Sequence, residues 1–232
     1  MTPAPSKKEW MVFFDFDNTI TPFDVLDRVI EEFAADDRWV AFEKAWETGK
    51  IGSRECLEGQ LQSVRVTQQV LSRYLSTVRV DPFFPQLLAL LKQKNIGWMI
   101  TSDSFDFLIE KILRSNGIPS ALVYANRLAF QNDRLIPSFP FHSPDCSRCA
   151  HCKKVHVLEH RDKTTVYVGD GLSDVCPARH ADLVFAKGAL LDSLKKGNQP
   201  CVPFRHLGNV AAFFEELGPS KRRLQKTLAL IS

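Results

Sequence analysis

Three short apolar runs, each ending in residues that carry hydroxyls or carboxylates, constrain this chain more than any other feature. Met11, Val12, Phe13 and Phe14 lead into Asp15; Gly97, Trp98, Met99 and Ile100 lead into Thr101, Ser102 and Asp103; Thr164, Thr165, Val166, Tyr167 and Val168 lead into Gly169 and Asp170. Unbroken apolar runs of this length fit strands covered on both faces, as parallel strands are. Weaker runs of the same kind stand at 183–186 and 201–204, and helical spacing fills 83–94, 105–114, 155–160, 189–195 and 210–217. Strand, helix, strand in repetition predicts an α/β fold, a Rossmann-like doubly wound parallel sheet whose ligands sit at the carboxyl ends of its strands.

Two segments break the alternation. Residues 22–80 show helical periodicity only, with Val25, Val29, Ile30 and Phe33 on one face and Trp39, Phe42 and Trp46 on another. They read as a helical cap of residues 22–80 inserted into a core of residues 1–21 and 81–232. The second break, 124–139, reads as a small β-hairpin insert: Arg127 to Phe130, a polar turn of Gln131, Asn132 and Asp133, then Arg134 to Ile136.

A net charge of +3 argues for neither nucleic acid nor a membrane surface as partner. The basic cluster Lys221, Arg222 and Arg223 reads as a solvated helix face, and a helix over 221–231 could serve a homodimer. No apolar run approaches the ~20 residues of a membrane span, and the N-terminus lacks the apolar segment of a secretory signal. The expected setting is cytoplasmic. In such a chain six cysteines (Cys56, Cys146, Cys149, Cys152, Cys176, Cys201) are expected as thiols rather than disulfides.

Side chains two residues apart on an extended backbone point the same way, so Asp15 and Asp17 are paired. The pair suits an attacking carboxylate beside a proton donor, or two ligands of a hard cation. Ser102 and Asp103 offer a hydroxyl and a backbone donor to a phosphate oxygen, and Asp170 and Asp174 add two acids around a glycine-permitted turn. Singly, each motif is explained by a helix cap or a loop. Together, in this order and each at a strand end, they point to a function. Four carboxylates at one sheet edge would repel unless a divalent cation and a lysine stood among them.

In combination, Asp15-Phe16-Asp17-Asn18-Thr19, the strand ending in Ser102, a downstream lysine and Gly169-Asp170 with Asp174 resemble the four motifs of the haloacid dehalogenase superfamily, over nearly the whole chain. The helical insert and the stretch Ala125-Asn126-Arg127-Leu128 resemble its phosphoserine-phosphatase-like subgroup. Two kinds of relative look closer still. The methionine-salvage phosphatase acting on 2-hydroxy-3-keto-5-methylthiopentenyl-1-phosphate shares the Thr19-Ile20-Thr21 run; the phosphoethanolamine/phosphocholine phosphatases share Cys152-Lys153 and Cys176-Pro177.

The resemblance implies a Mg²⁺-dependent hydrolase of a small phosphorylated metabolite. Asp15 would attack phosphorus, and Asp17 would protonate the leaving oxygen and then activate water. Asp15, Asp170 and the backbone carbonyl of Asp17 would hold Mg²⁺, with Asp174 holding its water shell or the lysine. Ser102 and Asp103 would bind the phosphate. Lys153 is the expected lysine and Lys154 its fallback. Dehalogenases of the superfamily lack an acid at the position of Asp17, so its presence argues for phosphate esters. Asp24, nine residues after Asp15, stands where relatives contact the substrate, and it is equally well explained as a helix-start acid.

Cys146, Cys149, Cys152 and His142 offer enough ligands for a structural Zn²⁺; a redox-sensitive loop, or thiols packed against the core, explains the run as well. Two further functional classes remain at this point. One is a phosphotransferase of the same chemistry, and the other a catalytically silent, zinc-stabilised binding protein on the same fold.

Overall fold

In the computed structural model the structure describes residues 9–118, 121–144 and 146–217. The chain opens with strand β1 (Trp10–Phe14) and four helices, α1 (Val25–Phe33), α2 (Arg38–Glu47), α3 (Ser53–Leu61) and α4 (Gln68–Leu75). Next come α5 (Phe84–Gln93), β2 (Gly97–Phe105), α6 (Asp106–Ser115) and the hairpin β3 (Val123–Gln131) with β4 (Arg134–Ser138). The remainder alternates: α7 (Lys153–Leu158), β5 (Thr164–Gly169), α8 (Val175–Ala178), β6 (Leu183–Ala186), α9 (Gly188–Lys196), β7 (Val202–Pro203) and α10 (Leu207–Glu216). The seven strands form one sheet in the order β4-β3-β2-β1-β5-β6-β7; β2 with β3, β1 with β5, β5 with β6 and β6 with β7 pair in parallel, and the hairpin β3–β4 is antiparallel. Among the described residues no helix is long and apolar enough to cross a membrane.

The chain divides into two compact units. Of the described residues, unit 1 takes 9–15, Asp81–Met99 and 154–217, and unit 2 takes those within Phe16–Val80 and Ile100–Lys153.

In unit 1, β1 pairs with β5 from Trp10 opposite Thr164 to Phe14 opposite Val168. Val12, Phe13 and Phe14 have no exposed surface, the consequence of a strand covered on both faces. Phe14 meets Phe84 of α5 edge to face at 5.5 Å between ring centres, and Phe13 meets His160 at 5.6 Å. The run at 201–204 gives only a two-residue strand. Pro203 has no N–H to donate, and such a strand belongs at the sheet edge, where it is found.

In unit 2, Asp24 caps α1 by accepting a hydrogen bond from the Asp27 N–H at 3.0 Å. Helix α2 buries none of its residues fully and leans on α3: a Cβ on Gly59 would lie 2.3 Å from the Phe42 ring, and Trp46 Nε1 donates to Ser53 Oγ at 3.0 Å. The hairpin turns where the sequence places it, with Asn132 at φ 57°. Among the described residues the four non-glycine residues in the left-handed region are asparagines, one of them Asn18 (φ 54°) in the loop after β1; Asn tolerates that region better than most residues. The basic cluster at 221–223 and the helix expected over 221–231 lie outside the described residues.

Candidate active site

Unit 1 gathers three carboxylates. Asp15 directly follows β1, its N–H donating to the Val168 carbonyl at 2.9 Å; Asp170 directly follows β5; Asp174 ends the short 3₁₀ turn Leu172–Asp174. One carboxylate oxygen from each lies within 4.8 Å of the others, and this is the only group of three or more His, Cys, Asp or Glu side chains so close among the described residues. Asp15 is 6% exposed and Asp174 not at all. Two ionised carboxylates at such spacing repel by roughly 3–4 kcal/mol at an effective dielectric of about 20. A hard divalent cation offsets that repulsion and takes oxygen ligands, so the donor set fits Mg²⁺.

The turn is built around Asp174. Its Oδ2 accepts from the backbone N–H groups of Asp170 and Gly171, both at 3.0 Å, and its Oδ1 accepts from the Tyr167 hydroxyl at 2.7 Å. A Cβ on Gly169 would stand 2.5 Å from Asp174 Oδ2, so a side chain there would push the carboxylate out of place.

Unit 2 presents a different set. Asp17 Oδ1 accepts the Val25 N–H at 2.8 Å. Burial, and then the neighbouring charge of Asp24, push the Asp17 carboxyl well above its ordinary pKa, while the Val25 N–H, Ser104 and the Lys153 ammonium pull it back. Burial also raises Asp24. Asp27 is pushed up to about 7 by the protein packed around it and by the charges of Asp24, Glu43 and Glu31, although the residue is exposed and solvent moderates the effect. Glu43, raised by burial, accepts from Gln60 Nε2 at 2.7 Å.

Lys153 opens α7 and is 2% exposed, its charge acting on both Asp17 and Asp24. The next lysine belongs to unit 1, where the charge of Lys154 acts on His180. Ser102 and Asp103 lie within β2, which runs four residues beyond the predicted Thr101. Pairing of β2 with β3 shifts register between Thr101 and Phe105, which takes this stretch out of the regular ladder. Ser102 is buried and its Oγ accepts the Ser104 N–H at 3.1 Å; Asn126 Nδ2 donates to the Asp103 carbonyl at 2.6 Å.

The zinc expectation is not supported. Cys146, Cys149, Cys152 and His142 do not form a donor group within 4.8 Å among the described residues. Cys149 hydrogen-bonds with Cys146, and burial, followed by the charge of Asp103, pushes its thiol far up. The segment carries backbone contacts instead: the Arg148 carbonyl accepts the Ser53 N–H at 2.8 Å, and Arg148 Nη1 donates to the Gly49 carbonyl at 3.1 Å.

Sequence reasoning missed Tyr167, Ser104, Asp27 and Glu43. Tyr167 had a visible signal, since it shares a strand face with Gly169 and carries a hydroxyl inside an otherwise apolar run. Asp27 and Glu43 had none, because only tertiary packing brings a pair sixteen residues apart to interact.

A doubly wound sheet with acids just beyond two adjacent parallel strands is the frame of the site, and the class of the protein is that of the phosphatases. The chain belongs to the family described as Putative Phosphatase, whose profile matches residues 10–189. It is similar to the 2-hydroxy-3-keto-5-methylthiopentenyl-1-phosphate phosphatase of Brevibacillus brevis, with 25% identity over 217 residues, covering 90% of this chain and 97% of that one. In fold it is similar to a phosphoserine phosphatase solved as a phospho-aspartyl intermediate analogue (TM-score 0.66, 20% identity, 89% of this chain and 99% of that one). A HAD-family hydrolase from Salmonella enterica serovar Typhi superposes with TM-score 0.73 at 16% identity, over 93% of this chain and 74% of that one.

Proposed function

We propose that the chain is a Mg²⁺-dependent phosphomonoester hydrolase working through an aspartyl phosphate on Asp15. The observation that carries this reading is the convergence of Asp15, Asp170 and Asp174 within 4.8 Å, a cluster of like charges that calls for a cation. Mg²⁺ held by Asp15 and Asp170, with the Asp17 carbonyl as a further ligand and Asp174 behind them, would neutralise charge on the transferring phosphoryl group.

A carboxylate oxygen of Asp15 attacks phosphorus and the bond to the ester oxygen breaks. Asp17 gives its proton to the leaving alkoxide. Water then attacks the phosphoryl group on Asp15, Asp17 takes the water's proton, and inorganic phosphate leaves. The raised pKa of Asp17 supports its role, because an acid must still carry its proton at working pH. Lys153 balances the negative charge of nucleophile and phosphate, and Ser102 with the Asp103 amide holds a phosphate oxygen.

Residues 22–80 serve as the cap of a core formed by 1–21 and 81–232, Asp24 faces the substrate as well as capping α1, and the reaction is assigned to the cytoplasm. The substrate is a small metabolite, 2-hydroxy-3-keto-5-methylthiopentenyl-1-phosphate first, as in the relatives spanned nearly end to end. A second reading is an amine-bearing ester: phosphoethanolamine, phosphocholine or phosphoserine. It draws on the interacting acids Asp17, Asp24, Asp27 and Glu43, which suit a cationic end group. kcat/KM over a panel of these esters, with and without chelator, tests the proposal. Turnover of one ester that stops on chelation and returns with Mg²⁺ is expected; turnover that survives chelation ends the reading.

A further inference from the structure

We propose that Tyr167 is a positioning residue for the divalent cation: its hydroxyl fixes Asp174, and Asp174 in turn fixes the backbone that carries Asp170. The inference rests on the reading of Asp15, Asp170 and Asp174 as a cation site. Asp174 is fully buried, and such a carboxylate needs several donors to be tolerated. Three are in place, each with its own consequence. The two amides on Oδ2 belong to Asp170 and Gly171, so they tie the start of the turn to the carboxylate. The Tyr167 hydroxyl, 2.7 Å from Oδ1, holds the other end of the same group and stops it rotating away from those amides. Asp170 then begins from a pinned backbone, and its side chain is presented to Asp15 without the turn having to order when the cation arrives.

The strand explains why a tyrosine can do this. Tyr167 and Gly169 point to the same face of β5, and side chains on a strand lean along its direction. A Cβ on Gly169 would meet Tyr167 Cε1 at 3.0 Å and Asp174 Oδ2 at 2.5 Å. The ring and the carboxylate therefore close over the bare Cα of Gly169. The three residues form one device, with the aromatic ring as spacer, its hydroxyl as the fixed donor, and glycine as the gap that lets both approach. A phenylalanine would fill the same space and drop only the donor.

Titration calorimetry of the full chain with Mg²⁺ alone tests the proposal, using wild type, Tyr167→Phe and Asp170→Asn. Loss of an outer partner of a metal ligand typically weakens affinity ~10–100-fold. We expect Tyr167→Phe to bind Mg²⁺ at least ~10-fold more weakly, with its melting temperature kept and its kcat recovered at high Mg²⁺, and Asp170→Asn to bind none measurably. If Asp170→Asn abolishes binding while Tyr167→Phe binds as wild type does, the tyrosine proposal is overturned and the cation site stands. If wild type binds no Mg²⁺, or Asp170→Asn binds it unchanged, the cation reading falls and the proposal with it. Should Tyr167→Phe not fold, amide hydrogen exchange on metal-free wild type decides. Protected Asp170 and Gly171 amides support the prearranged turn, and amides that exchange freely until Mg²⁺ is added overturn it.

Discussion

Asp174 in unit 1 and Asp17 in unit 2 are the same side chain, both packed into the protein, yet their surroundings differ in kind. Around Asp174 the fold aims a phenol and two backbone amides at one carboxylate. Around Asp17 it supplies one backbone N–H at 2.8 Å, and burial together with Asp24 outweighs the help of Ser104 and Lys153. The first arrangement holds a carboxylate in place as a fixture, while the second favours a carboxyl that keeps its proton. Donor count and nearby charge, more than residue type, separate a scaffold acid from a proton carrier.

The largest effect that could break this comparison is expected at the nucleophile. Asp15→Asn should lower kcat by ~10³-fold or more on any phosphate ester, because an amide oxygen cannot carry the phosphoryl group. Asp17→Asn should behave differently. On an alkyl phosphate, whose leaving oxygen needs a proton, the loss should be ~10²–10⁴-fold; on an aryl phosphate the cleavage step should suffer far less. Burst kinetics on p-nitrophenyl phosphate separate the steps. Equal losses for both leaving groups in the burst would remove Asp17 as the acid. Its raised pKa also sets a direction: activity on alkyl esters should fall as pH rises through that pKa.

Next in size is the lysine pair. Lys153→Met should cost ~10²-fold or more in kcat/KM, because it removes a buried cation whose charge acts on both Asp17 and Asp24. Lys154→Met should leave kcat/KM within about twofold, since that ammonium acts on His180 in unit 1. A Lys153→Met variant that keeps kcat/KM within about twofold of wild type, as Lys154→Met should, would mean that unit 2 does not depend on its buried lysine.

The fold was legible from the sequence wherever the apolar period was strong. β1, β5 and β6 fall within a residue of expectation, because runs buried on both faces leave no ambiguity. β2 was read four residues short, since Ser102, Asp103 and Ser104 look like loop and only pairing with β3 draws them into the strand. Helix α7 begins at Lys153 rather than 155, its polar first turn hiding the start. The motif acids were visible as spacing, but their environments were not. Nothing local to Asp17 announces that Glu43 and Gln60, on two later helices, join the acids of its unit. The cysteine run misled because ligand count is a property of sequence and donor geometry is not.

A smaller effect, on stability, should appear at Gly169 in unit 1. Gly169→Ala forces a methyl to 2.5 Å from Asp174 Oδ2, and overpacking of this sort costs about 1–3 kcal/mol. Urea unfolding of the variant measures the cost, and the comparison adds a condition: Mg²⁺ should stabilise Gly169→Ala less than it stabilises wild type. An unchanged midpoint would show that the carboxylate can shift freely and is no fixture.

The smallest expected effect comes from unit 2 and is a matter of sign. Asp27 is pushed up to about 7 from an ordinary 3.8, so the folded state holds its proton more tightly than the unfolded chain does. Its stabilising contribution is full below pH ~4 and is lost as pH rises toward about 7. Because Asp27 is exposed, solvent screening should hold the effect to ~2 °C in melting temperature or less. Asp27→Asn keeps shape and polarity and removes the titration, so its melting curve should lose that part of the decline between pH 4 and 7 and lie above wild type at pH 8. A variant that tracks wild type across the whole range would mean that Asp24, Glu31 and Glu43 do not press on Asp27. Unit 2 would then keep Asp17 and Asp24 as the raised acids on which Lys153 acts, and the contrast with unit 1 would narrow to those two side chains.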